Sequence, residues 1–319
     1  MTQPRRTLAP GKAMLIGEYA VLEGSKAVVA AVDCYATAQL SSGSPSSPFI
    51  SAAMRETLSA LTALGMIEAA EAQATSGLVP FVDTGSFSVG GRKLGVGSSA
   101  SATVAAVGAL LASAGLDLQK TEVRQAVQLA ATRAHDSAQG VRGSGADVLA
   151  ATWGGLRVLH DPSLPVEKPL PELPAHLCFV ATSTSVSTSA LLSRYRQLGS
   201  AVSPAIATLT EAATRFVAAW QAGQRGALLD AVAQSYQGYL QLENVLERTL
   251  VTPDHLQIAA AAHSVGGVAK PSGAGGGDLA VVFLPEASSE AALAAALPPG
   301  LMILSLKVSP LGLHTVESE

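Results

Sequence analysis

Apolar residues open the chain in short runs with strand-like alternation. Residues 7–9, 14–16, 28–32 and 36–40 read as β segments separated by Pro10-Gly11, Gly17 and Gly24-Ser25. A small sheet is therefore predicted at the N-terminal end. The turn-rich stretch 41–48 follows, expected as a mobile surface loop. Met54, Leu58, Leu61 and Leu64 then recur at helical spacing and predict a helix over 51–64. Residues 78–82 and 86–89 look like two strands joined through Asp83-Thr84-Gly85. Beyond them, the apolar stretch 103–114 and the series Val123, Val127, Ala130 and Ala131 predict two consecutive helices with no strand between.

The second half changes character. After the small-residue run 148–152 and a strand at 156–159, Asp161-Pro162-Ser163-Leu164-Pro165 marks the most plausible boundary, dividing the chain into 1–162 and 163–319. A strand at 177–181 ends in the hydroxyl cluster 182–189, and a helix runs from 191. Three amphipathic helices fit 201–264, broken near 223–226 and at Thr252-Pro253. Their aromatics Phe216, Trp220, Tyr236 and Tyr239 fall at helical intervals and are expected in the core. Residues 279–284, 291–297 and 302–308 close the chain as strand, helix, strand. The class is α+β, with helices packed on a mostly antiparallel sheet in the C-terminal half.

Composition narrows the function. The chain has 319 residues, 48% hydrophobic and 14% charged, which excludes disorder and allows one large or two moderate domains. A net charge of −4 without a basic block argues against nucleic acid, so an anionic small-molecule substrate must be met by a few local cations. Cys34 and Cys178 have no CxxC neighbour and are expected as reduced thiols. No secretory leader follows Arg5-Arg6, and no window reaches the roughly 18–20 apolar residues of a membrane span. A cytoplasmic monomer or homodimer is expected. The six histidines show no HExxH or similar spacing, so no bound transition metal is expected.

The candidate chemistry centres on Gly95, Val96, Gly97, Ser98, Ser99, Ala100 and Ser101, a glycine turn running into a helix. Glycines permit a tight path, and the helix start offers unpaired N–H groups and a positive dipole end to a polyphosphate. Simple N-capping of the helix explains the serines equally well. The string also fits the relaxed dinucleotide fingerprint, but the acid at the ribose distance, Asp117, precedes a helix instead of a strand, which argues against NAD. The loop GxxxxGK[ST] is absent, because Gly11-Lys12 is followed by Ala13. Asp147, in Gly143-Ser144-Gly145-Ala146-Asp147, presents a carboxylate at a helix start for capping or for catalysis. Asp136 is either a solvated helix-end acid or a ligand for a hard cation. Lys93, beside Arg92, stands where a phosphate partner is useful, and Ser187, Thr188 and Ser189 either cap a helix or touch a ligand. Ser272, Gly273, Ala274, Gly275, Gly276 and Gly277 let backbone amides approach an anion closely.

Taken in order, Pro10-Gly11-Lys12 with Gly17-Glu18-Tyr19, then Gly95 to Ala100, then Ser272 to Asp278 resemble the three motifs of the GHMP kinases across nearly the whole chain. Gly17-Glu18-Tyr19 and Lys270-Pro271-Ser272 with its glycines and Asp278 are most similar to phosphomevalonate kinases; mevalonate kinases more often carry histidine at Tyr19 and a fourth glycine at Asp278. The resemblance implies a ribosomal-protein-S5-like β-α-β N-terminal domain and a ferredoxin-like C-terminal domain. It implies ATP and Mg²⁺, with 95–101 on the nucleotide and Ser98, Ser99 and Asp136 on the metal. Lys12 and Asp147 are implied as catalytic. Lys12, Glu18, Tyr19, Lys93, Ser144, Asp147, Ser187, Thr188, Ser272, Gly273, Ala274 and Gly275 are implied around the acceptor. The expected reaction is phosphorylation of (R)-5-phosphomevalonate. The alternatives are phosphorylation of the mevalonate 5-hydroxyl, or ligand binding without catalysis on the same scaffold.

Overall fold

The computed structural model describes residues 5–161, 166, 170–184 and 188–317. It begins with two long strands, Arg5–Ile16 (β1) and Ala27–Ser42 (β2), paired antiparallel. Four short segments were expected here. Pro10 and Gly11 do not break β1, because the pairing register slips there, Pro10 opposing Tyr35 and Gly11 opposing Val32, and this bulge takes up the irregularity. Likewise β2 absorbs Ser41 and Ser42. Pro48 begins helix α1 (Pro48–Ala63), capped by the Ser47 hydroxyl, so the expected loop shrinks to 43–47. A helix not foreseen, α2 (Ile67–Thr75), precedes β3 (Leu78–Asp83), which pairs with the outer half of β2. The next expected strand does not pair with β3. Ser88–Val89 (β4) forms a separate hairpin with Arg92–Lys93 (β5).

Helices α3 (Ser98–Ser113) and α4 (Thr121–Gln139) follow in succession, as the spacing predicted. Helix α3 is rich in the small residues Ala and Ser and is buried almost all round, a composition that lets it lie close between the sheet and its helical neighbours. Helix α5 (Ala146–Trp153) leads into β6 (Leu156–Leu159), which pairs with the inner half of β2. Residues 27–32 are therefore covered on both faces: Val28, Ala30 and Val32 pack on the α3 side, while Ala27, Val29 and Ala31 pack with Leu149 and Trp153 of α5. That is why this part of β2 reads as an unbroken apolar run.

The second sheet has order β10-β7-β9-β8 and is antiparallel. Its strands are His176–Ala181 (β7), Val268–Pro271 (β8), Leu279–Leu284 (β9) and Met302–Leu304 (β10). Helices α6 (Thr188–Gln197), α7 (Ser203–Gln221), α8 (Arg225–Leu246) and α9 (Pro253–Ser264) lie between β7 and β8, and α10 (Glu290–Ala296) lies between β9 and β10. Phe216, Trp220 and Tyr239 are buried, as their spacing predicted. Strand β10 stops short of the expected 302–308 because the chain leaves this sheet: Val308 bridges to Val32, and β11 (His314–Glu317) pairs with β1. The first sheet thus runs β11-β1-β2, with β3 and β6 sharing the far edge of β2.

Candidate active site

Three separate connections meet between the two sheets. The first is β1 with the turn after it, the second is the start of α3, and the third joins β8 to β9. Lys12, Glu18 and Tyr19, Gly95, and Ser272 to Gly275 with Gly277 and Asp278 all line one cleft, together with Ser144, Asp147 and Thr188. Its volume is about 980 Å³ including the solvent-filled mouth. A cleft of this size takes a nucleotide-sized or smaller ligand. A smaller recess, lined by Phe87, Lys93, Val96, Gly97 and Ser98, shares Gly95 and Asp278 with it.

Close approach explains two of the glycines. A Cβ on Gly97 would lie 3.0 Å from Cγ of Lys12, and one on Gly95 would lie 2.3 Å from Cβ of Asp278. Both residues also have positive φ, so the second motif can touch the first and the third only as glycine. The Lys12 amide donates to the Val96 carbonyl at 2.8 Å and ties β1 to the same turn.

The third connection is held by side chains. Lys270, fully buried, donates to Glu18 Oε1 and, at 2.7 Å, to the Pro271 carbonyl. Tyr239 donates to the Gly273 carbonyl at 2.5 Å, and Tyr19 donates to the Ala274 carbonyl at 2.7 Å. Ser272 Oγ accepts from the Met14 amide and donates to the Met14 carbonyl, both at 3.0 Å. Gly276 donates to the Leu250 carbonyl. Burial pulls the Lys270 ammonium below its ordinary range, with Glu18 opposing the shift. Burial, with the Glu18 charge, pushes the hydroxyls of Tyr19 and Tyr239 upward.

This arrangement has known counterparts. Residues 88–155 match the family model of the GHMP kinases N-terminal domain. The phosphomevalonate kinase of Streptomyces sp. (strain CL190) is 29% identical over 353 aligned positions covering 91% of this chain and 93% of that protein. The Lin0012 protein from Listeria innocua superposes with a TM-score of 0.81 at 21% identity, over 99% of this chain and 100% of that one. The chain has the GHMP kinase fold. Streptococcus pneumoniae phosphomevalonate kinase, solved in complex with phosphomevalonate and AMPPNP, superposes with a TM-score of 0.72 at 20% identity, over 95% of this chain and 99% of that one. The resemblance read in the three motifs is matched by both sequence and structure.

Within the GHMP kinase fold, the charged groups differ in their surroundings. Asp147 lies in the first turn of α5, where Oδ1 accepts from the Val148 amide at 3.0 Å; Asp136 lies near the end of α4, where Oδ1 accepts from the Gly143 amide at 3.0 Å. Neither they nor Lys12 enter an ion pair among the described residues, and all three are half-buried on the cleft wall. Their charge is available to a ligand.

The turn 95–101 is less uniform than its sequence. Ser98 opens onto the smaller recess, and its hydroxyl has no side-chain hydrogen bond among the described residues, whereas Ser99 Oγ pairs with His135 Nε2 at 3.1 Å. Ala100 and Ser101 turn inward: Ala100 joins the core, and Ser101 donates to the Pro10 carbonyl at 2.7 Å. Helix geometry requires this, since positions 100 and 101 rotate toward the sheet once α3 begins. Lys93 is exposed on β5 and lines the recess, not the cleft that Asp147 lines. Arg92 donates to the Thr182 carbonyl. Ser187 lies outside the described residues.

Several lining residues were not anticipated. Thr132, His135 and Gln139 join Asp136 on one face of α4, at the i, i+3, i+4, i+7 spacing of a helix. That polar stripe is legible once α4 is placed. Asp278 closes the third motif, and its position against Gly95 depends on the meeting of two distant segments.

Proposed function

We propose that this chain is an ATP- and Mg²⁺-dependent phosphomevalonate kinase that transfers the γ-phosphoryl group of ATP to (R)-5-phosphomevalonate, giving ADP and 5-diphosphomevalonate in the mevalonate route to isoprenoids. The observation that carries this reading is the convergence of Lys12, Gly95, Asp147 and Gly275 on one cleft. The identity to a phosphomevalonate kinase over nearly the full length supports the choice of acceptor.

The donor chemistry suits a hard cation. Asp136 and Ser98 offer only oxygen, and among the described residues Ser98 is the hydroxyl of the serine pair without a side-chain partner. Mg²⁺ held there would withdraw charge from the terminal phosphate oxygens of ATP. The amides at the start of α3 would face the same phosphates. The acceptor phosphate is already ionised at neutral pH, so Asp147 has little need to remove a proton and serves to orient the attacking oxygen. Lys12 neutralises charge on the group in transit, and positioning with electrostatics supplies most of the catalysis. Thr188, at the start of α6, and the loop 272–275 close the acceptor side.

An ADP-release assay on the purified protein with phosphomevalonate, mevalonate and homoserine tests the assignment. Turnover of phosphomevalonate at least about 100-fold above the others is expected, a margin in line with discrimination by a polar group that the site is built to bind. Preference for mevalonate would make the protein a mevalonate kinase. Nucleotide binding without turnover on any of the three would make it a ligand-binding member of the fold.

A further inference from the structure

A second cluster of ligating groups lies on the far sheet. In β7, His176, Cys178 and Val180 share one face, and Cys178 and Val180 pack there with Ile258 and Ala262 of α9 and Leu293 of α10. Glu290, the first residue of α10, comes down onto this face. His176 Nε2 and Glu290 Oε2 are 2.7 Å apart, and one ligand atom from each of His176, Cys178 and Glu290 lies within 4.8 Å of the others. On the side of β7 facing β10, the pairing with β10 covers only 179–181 and stops short of His176 and Cys178. His176 and Glu290 are partly exposed while Cys178 is buried, so the cluster has a dry end and a wet end.

We propose that His176, Cys178 and Glu290 form a binding site for a Zn²⁺-class transition metal, with three protein ligands and a fourth position left to water. Imidazole, thiol and carboxylate form a mixed set that suits a borderline metal and not Mg²⁺, which takes oxygen donors. Tetrahedral coordination at about 2.0–2.3 Å from the metal sets its ligand atoms about 3.3–3.8 Å apart, so these three groups need only small rotamer adjustments. Coordination replaces the His176–Glu290 contact with bonds from Nε2 and Oε2 to the metal. The Cys178 thiol gives its proton to solvent and binds as thiolate. A thiol of ordinary acidity is protonated at neutral pH, so uptake releases a proton. The ion would fasten α10 to the sheet. His176 falls outside any HExxH-type spacing, since an alternating pair on a strand completed by a distant helix leaves no contiguous motif.

The test uses full-length protein stripped with chelator and kept reduced. Zn²⁺ is titrated against a chromophoric chelator, and Co²⁺ is added separately to read its absorption. One equivalent of Zn²⁺, with proton release and a thiolate-to-cobalt charge-transfer band, is expected. His176→Gln should weaken uptake at least about 10-fold, and Cys178→Val should remove the charge-transfer band. Asp136→Asn, in the kinase cleft, should change neither readout. Absence of uptake by the unaltered protein, or uptake that survives His176→Gln unchanged, overturns the proposal; because His176 is partly exposed, that variant decides the matter even if Cys178→Val fails to fold.

Discussion

The two walls of the cleft are built by opposite means. On one wall, the turn 95–98 and the segment 143–147 each run straight into a helix, and their shape follows from backbone: positive-φ glycines, a strand amide bonded to Val96, and the unpaired amides of the helix starts. The charges there, Lys12, Asp136 and Asp147, have no ionic partner among the described residues. On the other wall, the loop 272–277 joins two strands and has no helix of its own to shape it. It borrows its shape from Glu18, Lys270, Tyr19, Tyr239 and Leu250, and its buried charges are matched to each other. The contrast separates two uses of charge. Charges left available to a ligand stay unpaired, and charges that hold a shape are paired and buried.

The sharpest way to break this contrast is at Lys270. Lys270→Met leaves Glu18 buried without a counter-charge and should destabilise the protein by about 3–5 kcal/mol in urea unfolding. Combining it with Glu18→Gln should recover most of that loss, whereas no recovery would mean that the pair does not act as a unit. Asp147→Asn should do the reverse, lowering kcat by about 10²–10³-fold with nucleotide affinity and urea midpoint nearly unchanged. Unaltered turnover would remove Asp147 from its role.

Two smaller effects concern the braced wall alone. Leu250, which receives the Gly276 amide, belongs to a turn that ends in the α9 cap, where Thr252 and His255 bond reciprocally. Burial pulls the His255 imidazole down to about 4. The unfolded chain takes up this proton below pH about 6.5 and the folded one only near 4, so stability should fall as pH drops through that window, by about 3 kcal/mol at most. Comparing urea midpoints at pH 7 and 4.5 for the unaltered protein and His255→Gln isolates the contribution, which the variant should lack. Tyr19→Phe removes the bond to the Ala274 carbonyl and should cost about 1 kcal/mol of stability. Its KM for the acceptor should rise a few-fold with kcat preserved; an unchanged KM would detach Tyr19 from the acceptor wall.

Much of this protein is written locally. Periodicity located α1, α3, α4 and the three helices of 203–264 because each has one apolar stripe or is buried all round. The glycine motifs were legible because a backbone that must approach an anion or another segment tolerates few other residues. Some short elements were not. Strand β5 has two residues, β8 hides between glycines, and β11 gains its order from pairing with a strand some three hundred positions away. Among the site residues, the sequence could name Ser98, Ser99 and Ser101 together but could not tell them apart.

By itself, then, the sequence determined the class of fold, the positions of the long helices and the three glycine motifs, since each of these depends on local spacing and local backbone freedom. Tertiary structure alone decided that Pro10-Gly11 is a bulge and not a break, that Ser101 faces the Pro10 carbonyl while Ser98 faces a recess, and that Lys270 is a buried partner of Glu18. The reason is physical: each of those outcomes is set by which distant segment occupies the space beside the residue, and only the folded chain brings that segment there.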